Sequence, residues 1–450
     1  MSKWRTVLLT MAVGWTVNWV APDRLSPLVN AAEPLQSHST VDLRQPILSS
    51  NLELETALEQ TLQRNPDLVA LRQNLNVSAA ALAVARQFPT SLNPTVAVDS
   101  RPWVFDRAAN GQIERLQNQI SVSWSQPIEL GDRTRFREAI AQAAYSQTQW
   151  NILQAELAAV VQTYKLHQTA CYRREKHRVA GDLSSFNERL LNTLRRQQGA
   201  NLAPASDVAL AEVESQATAQ QTDVAWQEYI AVLTELRQQM GLPEQASVVE
   251  PVGAPRLPTL EGPGDEASLV QTALSTRSEI RAAEWQVSSS RAAVSLARAD
   301  RIPIFSAGPV YEKNESGTNF YGFTISTPVP VLNCGATLVR QRDAEFYRDA
   351  MILEQLRNKT TTQVKAANAK WKSARKMVDL TAARTQPITA QTEKMQHLYD
   401  AGQTDVLKLL QVRQRLIELQ NAQLDSLWQA TQAYADLLTA VGTTPLLGSR

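Results

Sequence analysis

Proline is absent from residues 132–198, and glycine occurs there once, at Gly181. Nothing in that stretch ends a helix, so it reads as one rod of about 100 Å at 1.5 Å per residue. Such a rod does not fit a compact domain. Cysteine is scarce: the 450-residue chain has Cys171 and Cys334. With the rods level, these would sit about 60 Å apart, whereas a bridge needs Cα atoms within about 7 Å. Free thiols are therefore expected and a disulfide scaffold is excluded. Net charge is only +1, so there is no electrostatic footprint for nucleic acid. Four histidines (His38, His167, His177, His397) and six scattered methionines form no set at ligand spacing, so neither metal nor cofactor is expected. No nucleophile or phosphate-binding motif stands out; no catalytic residues are assigned and the chain does not read as an enzyme. After the N-terminus no run approaches 18 apolar residues, so no membrane-spanning helix is visible.

What is present begins with Lys3 and Arg5, an apolar run over 6–20 and a small-residue site ending at Ala31, which together read as a signal peptide over 1–31. Residues 32–50 form a polar leader. In the rod, Trp150, Leu153, Leu157, Val160, Tyr164, His167 and Cys171 alternate in steps of three and four, a coiled-coil seam. Residues 336–400 repeat the feature through Leu353, Val364, Ala367, Trp371, Ala374 and Val378, with one interruption at Pro387. Helices are expected on either side of a break at Asn65-Pro66, and a breaker cluster at 89–94 ends the second.

The order of elements recurs. Arg277-Ser278-Glu279-Ile280 echoes Asn65-Pro66-Asp67-Leu68, Pro328 echoes Pro127, Gly402 echoes Gly199 and Gly442 echoes Gly241, at offsets of 212, 201, 203 and 201 residues. Nearly constant offsets indicate an internal duplication. The first repeat spans 51–243, with strands at about 94–103 and 118–127 and a helical hairpin over 132–240. A linker covers 244–268. The second repeat spans 269–442, with strands at about 303–311 and 320–328 and a hairpin over 336–441; a tail covers 443–450. Polar loops are expected at 106–115 and 312–319. In the first repeat the two shorter helices, 204–240 and 67–88, sum to about 89 Å, so they can pack end to end along one rod.

Four strands cannot close a barrel and leave edges that need partners. Strands of about ten residues match a tilted bilayer crossing, and aromatics concentrate around them, among them Trp103, Trp124, Tyr311, Phe320, Tyr321 and Phe323. A membrane barrel built from several copies explains these features; a small soluble sheet is the plainer alternative.

Residues Leu54-Glu55-Thr56-Ala57-Leu58, Asn65-Pro66-Asp67-Leu68, Gln126-Pro127-Ile128-Glu129-Leu130-Gly131 and Tyr399-Asp400-Ala401-Gly402, in this order and spacing, resemble the TolC family of outer-membrane efflux channels. The resemblance covers about 52–442, and Glu129-Leu130-Gly131 is most similar to its CzcC-like heavy-metal branch. It implies a mainly helical homotrimer: a 12-stranded β-barrel in the outer membrane, continued by an α-helical periplasmic tunnel. The implied partners are a periplasmic adaptor (membrane fusion) protein, an inner-membrane pump and outer-membrane lipid. The helix turns Gly199 to Pro204 and Gly402 to Asp405 would form the periplasmic tip, where the resemblance matches Asp207 and Tyr399 to members of a lock. Thr404 stands where the best-known member has arginine, and Lys408 and Gln411 where it has an aspartate pair, with Asp405 one turn away. Pro127, Gly131, Pro328 and Gly335 would turn the chain from barrel to tunnel. The rival reading is a periplasmic coiled-coil adaptor or scaffold, which would carry one hairpin flanked by β-rich domains.

Overall fold

The computed structural model describes residues 51–101, 105–107, 111–115, 118–243, 250–253, 265–400, 403 and 406–443. The expected signal peptide and leader, most of the linker, and the tail from 444 lie outside them. The first repeat contains β1 (Asn51–Leu52), α1 (Leu54–Arg64), α2 (Pro66–Arg86), β2 (Thr95–Arg101), β3 (Phe105–Arg107), β4 (Ile113–Arg115), β5 (Gln119–Ile128), α3 (Arg133–Gly199) and α4 (Ala205–Gln239). After β6 (Glu250–Pro251) come α5 (Glu266–Thr276), α6 (Ser278–Ala299), β7 (Phe305–Lys313), β8 (Asn319–Ser326), α7 (Ala336–Asp400) and α8 (Val406–Val441).

The same backbone chemistry closes both repeats. Leu202 N–H donates to Gln197 O at 2.8 Å and Gln403 N–H to Leu398 O at 2.9 Å, each a reach back across the last helical turn. At the far ends Leu242 bonds Arg237 O and Thr443 bonds Leu438 O, with Gly241 and Gly442 at positive φ. A Cβ on Gly241 would stand 2.3 Å from Arg64 O, so this glycine also lets the α1–α2 junction approach. At that junction the Asn65 side chain accepts from the Asp67 and Leu68 amides, capping α2.

Several expectations need correction. α7 runs unbroken through Pro387; one missing backbone donor did not end a helix that packs against α6 and α8. Residues 106–115 are not wholly loop: β3 and β4 pair antiparallel there as a separate two-stranded sheet. β7 reaches Lys313, which pairs with both Ile120 and Asn319, so the second loop is only 314–318. The linker is not featureless, because β6 pairs in parallel with β1. His167 Nε2 lies 3.2 Å from Leu52 O, and Arg174 bonds the carbonyls of Pro251 and Gly253, so α3 holds this small pair.

The coiled-coil seam is also broader than the heptad reading. Leu153 is exposed, whereas Ile152, Ala159, Val161, Ala170 and Tyr172 are buried beside the expected positions. The cause is that α3 packs against α1, α2, α4, α6 and α8, not one partner. Each added neighbour buries a further stripe. The main core draws Leu157, Val160 and Tyr164 from α3, Val364 and Trp371 from α7, and Ala433 and Tyr434 from α8. Asp436 of α8 accepts from Lys165 of α3 and Lys370 of α7, each at 2.6 Å, so one carboxylate ties three long helices. The two repeats are therefore interlocked. By length and composition residues 66–92 would pass for a membrane span, but Arg72 within them pairs with Glu156 of α3 at 2.7 Å.

Candidate functional site: a two-faced sheet, its junction and the helical tip

Strands β2, β5, β7 and β8 form one antiparallel sheet in the order β2-β5-β7-β8, so β2 and β8 are its edges. Register sorts the side chains. Val96 stands opposite Trp124, Val98 and Tyr311 opposite Val122, Tyr321 opposite Tyr311, Phe323 opposite Pro309 and Ile325 opposite Ala307. Because side chains alternate along a strand, these residues share one face. The other carries Thr95, Asp99, Ser121, Ser123, Ser125, Glu312 and Thr324. On that face Gln119 donates to Glu312 at 3.1 Å. Val96, Val98, Phe323 and Ile325 are each about two-thirds exposed, at 66–69%. A soluble sheet would cover such a face; here no helix lies on it among the described residues.

Below β5 the chain turns into α3. Gly131 has φ +85° and Asp132 φ +58°, a pair of left-handed residues that reverses direction abruptly. Arg133, almost wholly buried, donates to Ala299 O at 3.2 Å and also to Ile302 O, and meets Asp300 at 3.3 Å. Arg137 grips Glu129 with both terminal nitrogens, at 2.9 and 2.7 Å. No motif marks either arginine in the sequence, although the four-residue steps Glu129, Arg133, Arg137 at a strand-to-helix turn are a readable signal. In the second repeat Gly335 has φ +73°, and its N–H donates to Asn333 Oδ1 at 2.9 Å. Pro127 pairs with Ser306 inside the sheet, and Pro328 follows the end of β8.

The Arg137 hydrogen bonds, against the opposing push of burial, hold the Glu129 carboxyl below its usual range. Its stabilisation is therefore present above the ordinary glutamate pKa and disappears as pH falls through the lowered folded value. Glu129→Gln is expected to cost about 2 kcal/mol at neutral pH. It should also flatten the fall in melting temperature between about pH 5 and pH 3. Calorimetry in detergent measures both; a variant with the parent's acid slope refutes the assignment.

At the other end, Leu190, Leu191 and Leu194 of α3, Val208 and Ala211 of α4 and Val406 of α8 form a tip core, with Tyr399 packed against it. Asp207, the neighbour of Val208, lies in the first turn of α4 and accepts from Ser206 Oγ at 3.3 Å. Asp207 and Tyr399 thus belong to elements that one apolar cluster joins. Gly199 ends α3 and Pro204 precedes α4, with Asn201 between them at φ +55°. Lys408 and Gln411 are exposed on α8; Gly402, Thr404 and Asp405 lie outside the described residues. Among the described residues no three His, Cys, Asp or Glu are placed to hold a metal ion. Cys171 and Cys334 are free; burial pushes the Cys171 thiol up to about 11.

The fold is thus a four-stranded sheet with one apolar and one polar face, continued into two long helical hairpins. The comparisons agree. Residues 269–443 match the family described as outer membrane efflux protein. No curated protein matches the sequence. Among solved structures, the outer-membrane channel OprN is 16% identical at a TM-score of 0.72, covering 87% of this chain and 90% of that one. The Campylobacter jejuni CmeC outer membrane channel is 15% identical at 0.70, covering 86% and 85%. The open-state Neisseria gonorrhoeae MtrE outer membrane channel is 17% identical at 0.68, covering 87% and 89%. The family match thus falls on the second repeat, and the fold likeness to the solved channels extends over both repeats.

Proposed function

We propose that this chain is the outer-membrane channel-tunnel of a tripartite efflux system, a passive exit duct for small solutes such as drugs or metal cations. The observation that carries the reading is the sheet: an exposed apolar face, a serine-rich polar face and two open edges. Edges require pairing. Three copies of four strands close a 12-stranded barrel with lipid outside and water within. The helical hairpins then form the periplasmic tunnel, which meets a periplasmic adaptor and an inner-membrane pump. A duct needs no catalytic group. The family match and the duplicated hairpins favour this reading over an adaptor. Glu129-Leu130-Gly131, which carried the resemblance to the heavy-metal branch, builds the junction turn and so speaks for geometry more than for cargo.

Asp207 and Tyr399 help hold the tip closed in this proposal. Each hydrogen bond there contributes about 1 kcal/mol, and three symmetric copies together bias the closed state by about 3 kcal/mol. The purified protein should have the mass of three chains in detergent and conduct in planar bilayers. Asp207→Ala and Tyr399→Phe should each raise single-channel conductance, with little added by the double mutant. A monomer with intact sheet content refutes the barrel. Unchanged conductance in both single mutants refutes the lock and leaves the channel standing.

A further inference from the structure

We propose that the cleft between α3, α7 and α8 just above the tip is a binding site for an oxyanion of the carboxylate or phosphate class, held by Arg413 and Arg189. The cleft measures about 430 Å³, and its polar lining comes from Arg189, Thr193, Gln396, Tyr399 and Arg413. Two guanidinium groups and the Thr193 hydroxyl can donate, and among the described residues no carboxylate lines this cleft. Arg413 lies with its guanidinium 4.5 Å from the centre of the Phe186 ring, a stack that fixes the plane of the group. Among the described residues its buried Nε has no hydrogen-bond acceptor.

A half-buried guanidinium without an acceptor is costly, and its terminal nitrogens can hold an oxyanion in the cleft in a fork geometry. The charges around it leave that need unmet. Burial first, and then repulsion from Arg189, lowers the Arg413 pKa, with Asp182 acting in the opposite sense. Asp182 is exposed and engaged by Arg178 at 3.4 Å. Glu393, Glu214 and Glu418 line the clefts on the other sides of Arg413, and Glu418 is paired with Arg415 at 2.8 Å. An anion seated between Arg189 and Arg413 would join α3 of the first hairpin to α8 of the second beside the tip core. The site stands on this geometry and does not depend on the Asp207–Tyr399 lock.

The anion has two sources, a free solute or an acidic side chain of another chain, and one experiment separates them. The full-length protein in detergent is titrated with sodium phosphate against chloride at constant ionic strength, and its melting temperature is followed. A saturable rise of a few degrees in the parent, abolished by Arg189→Gln and Arg413→Gln but kept by Arg415→Gln, identifies a free-anion site. No rise in the parent, together with a melting temperature several degrees lower in Arg189→Gln than in Arg415→Gln, assigns the site to a neighbouring carboxylate. Arg189 is exposed, so its substitution does not disturb the protomer core. No phosphate response and equal melting of both variants overturns the proposal.

Discussion

Phe323→Arg is expected to abolish assembly in the outer membrane, whereas Ser121→Arg leaves the assembled oligomer intact. The two positions lie in the same sheet, Phe323 in the middle of β8 and Ser121 near the start of β5, and differ in face. Phe323 lies opposite Pro309 on the apolar side with Trp124 and Tyr311; Ser121 lies opposite Glu312 on the polar side, where an arginine finds a carboxylate. An arginine on the lipid face near the bilayer centre costs about 2–4 kcal/mol. Three copies multiply that to about 6–12 kcal/mol, comparable with the whole stability of a typical domain. The measurement is the yield of heat-modifiable oligomer in outer-membrane fractions. If Phe323→Arg assembles normally, the apolar face does not meet lipid.

Gly308→Ala is the second large effect. The β5–β7 ladder pairs Ser123 with Val310 and resumes at Gln126 with Ala307, and it is interrupted opposite Gly308 and Pro309. Pro309 has no N–H to give the ladder, and the strands come close enough there that a Cβ on Gly308 would stand 1.8 Å from Trp124 O. The obstacle is backbone, so no rotamer change relieves it. The substitution should cost about 3 kcal/mol or more per chain and part the only strands that join the two repeats within the sheet. Gly322→Ala is the control: its Cβ meets one Val310 methyl at 3.3 Å, which a small shift accommodates. Thermal unfolding followed by circular dichroism should separate the two variants clearly, and equal melting would refute the close approach.

The parts legible in the sequence are those governed by local rules. Absence of proline gave the length of α3, the alternation of Ile120, Val122 and Trp124 gave β5, and landmarks at near-constant offsets gave the duplication. What escaped depends on contacts between distant segments. A heptad pattern presumes one partner, so it placed Leu153 in a seam and passed over Ala159 and Val161, which α3 buries because other helices surround it. The two-residue pairing of β1 with β6 carries no periodicity at all. At the tip, the resemblance named Asp207 and Tyr399, but Arg413 and Phe186 have no motif. A lone arginine on an apolar helix is read as a solvated side chain until a ring is found beneath it.

The β5–β7 ladder has a consequence for how the chain is made. Its partners, Ile120 and Lys313 among them, lie nearly two hundred residues apart. Closing so distant a pair is slow compared with winding helices. The sheet is therefore among the last parts of each chain to form, after synthesis has delivered both repeats. Until then β2 and β5 exist only as an isolated hairpin, too small to be stable alone. Late pairing keeps the apolar face from being completed before the chain reaches lipid, and it leaves unpaired strands exposed to aggregation in transit. Holdase chaperones are expected to act on the newly exported chain in this interval, before its helices and sheet have locked together.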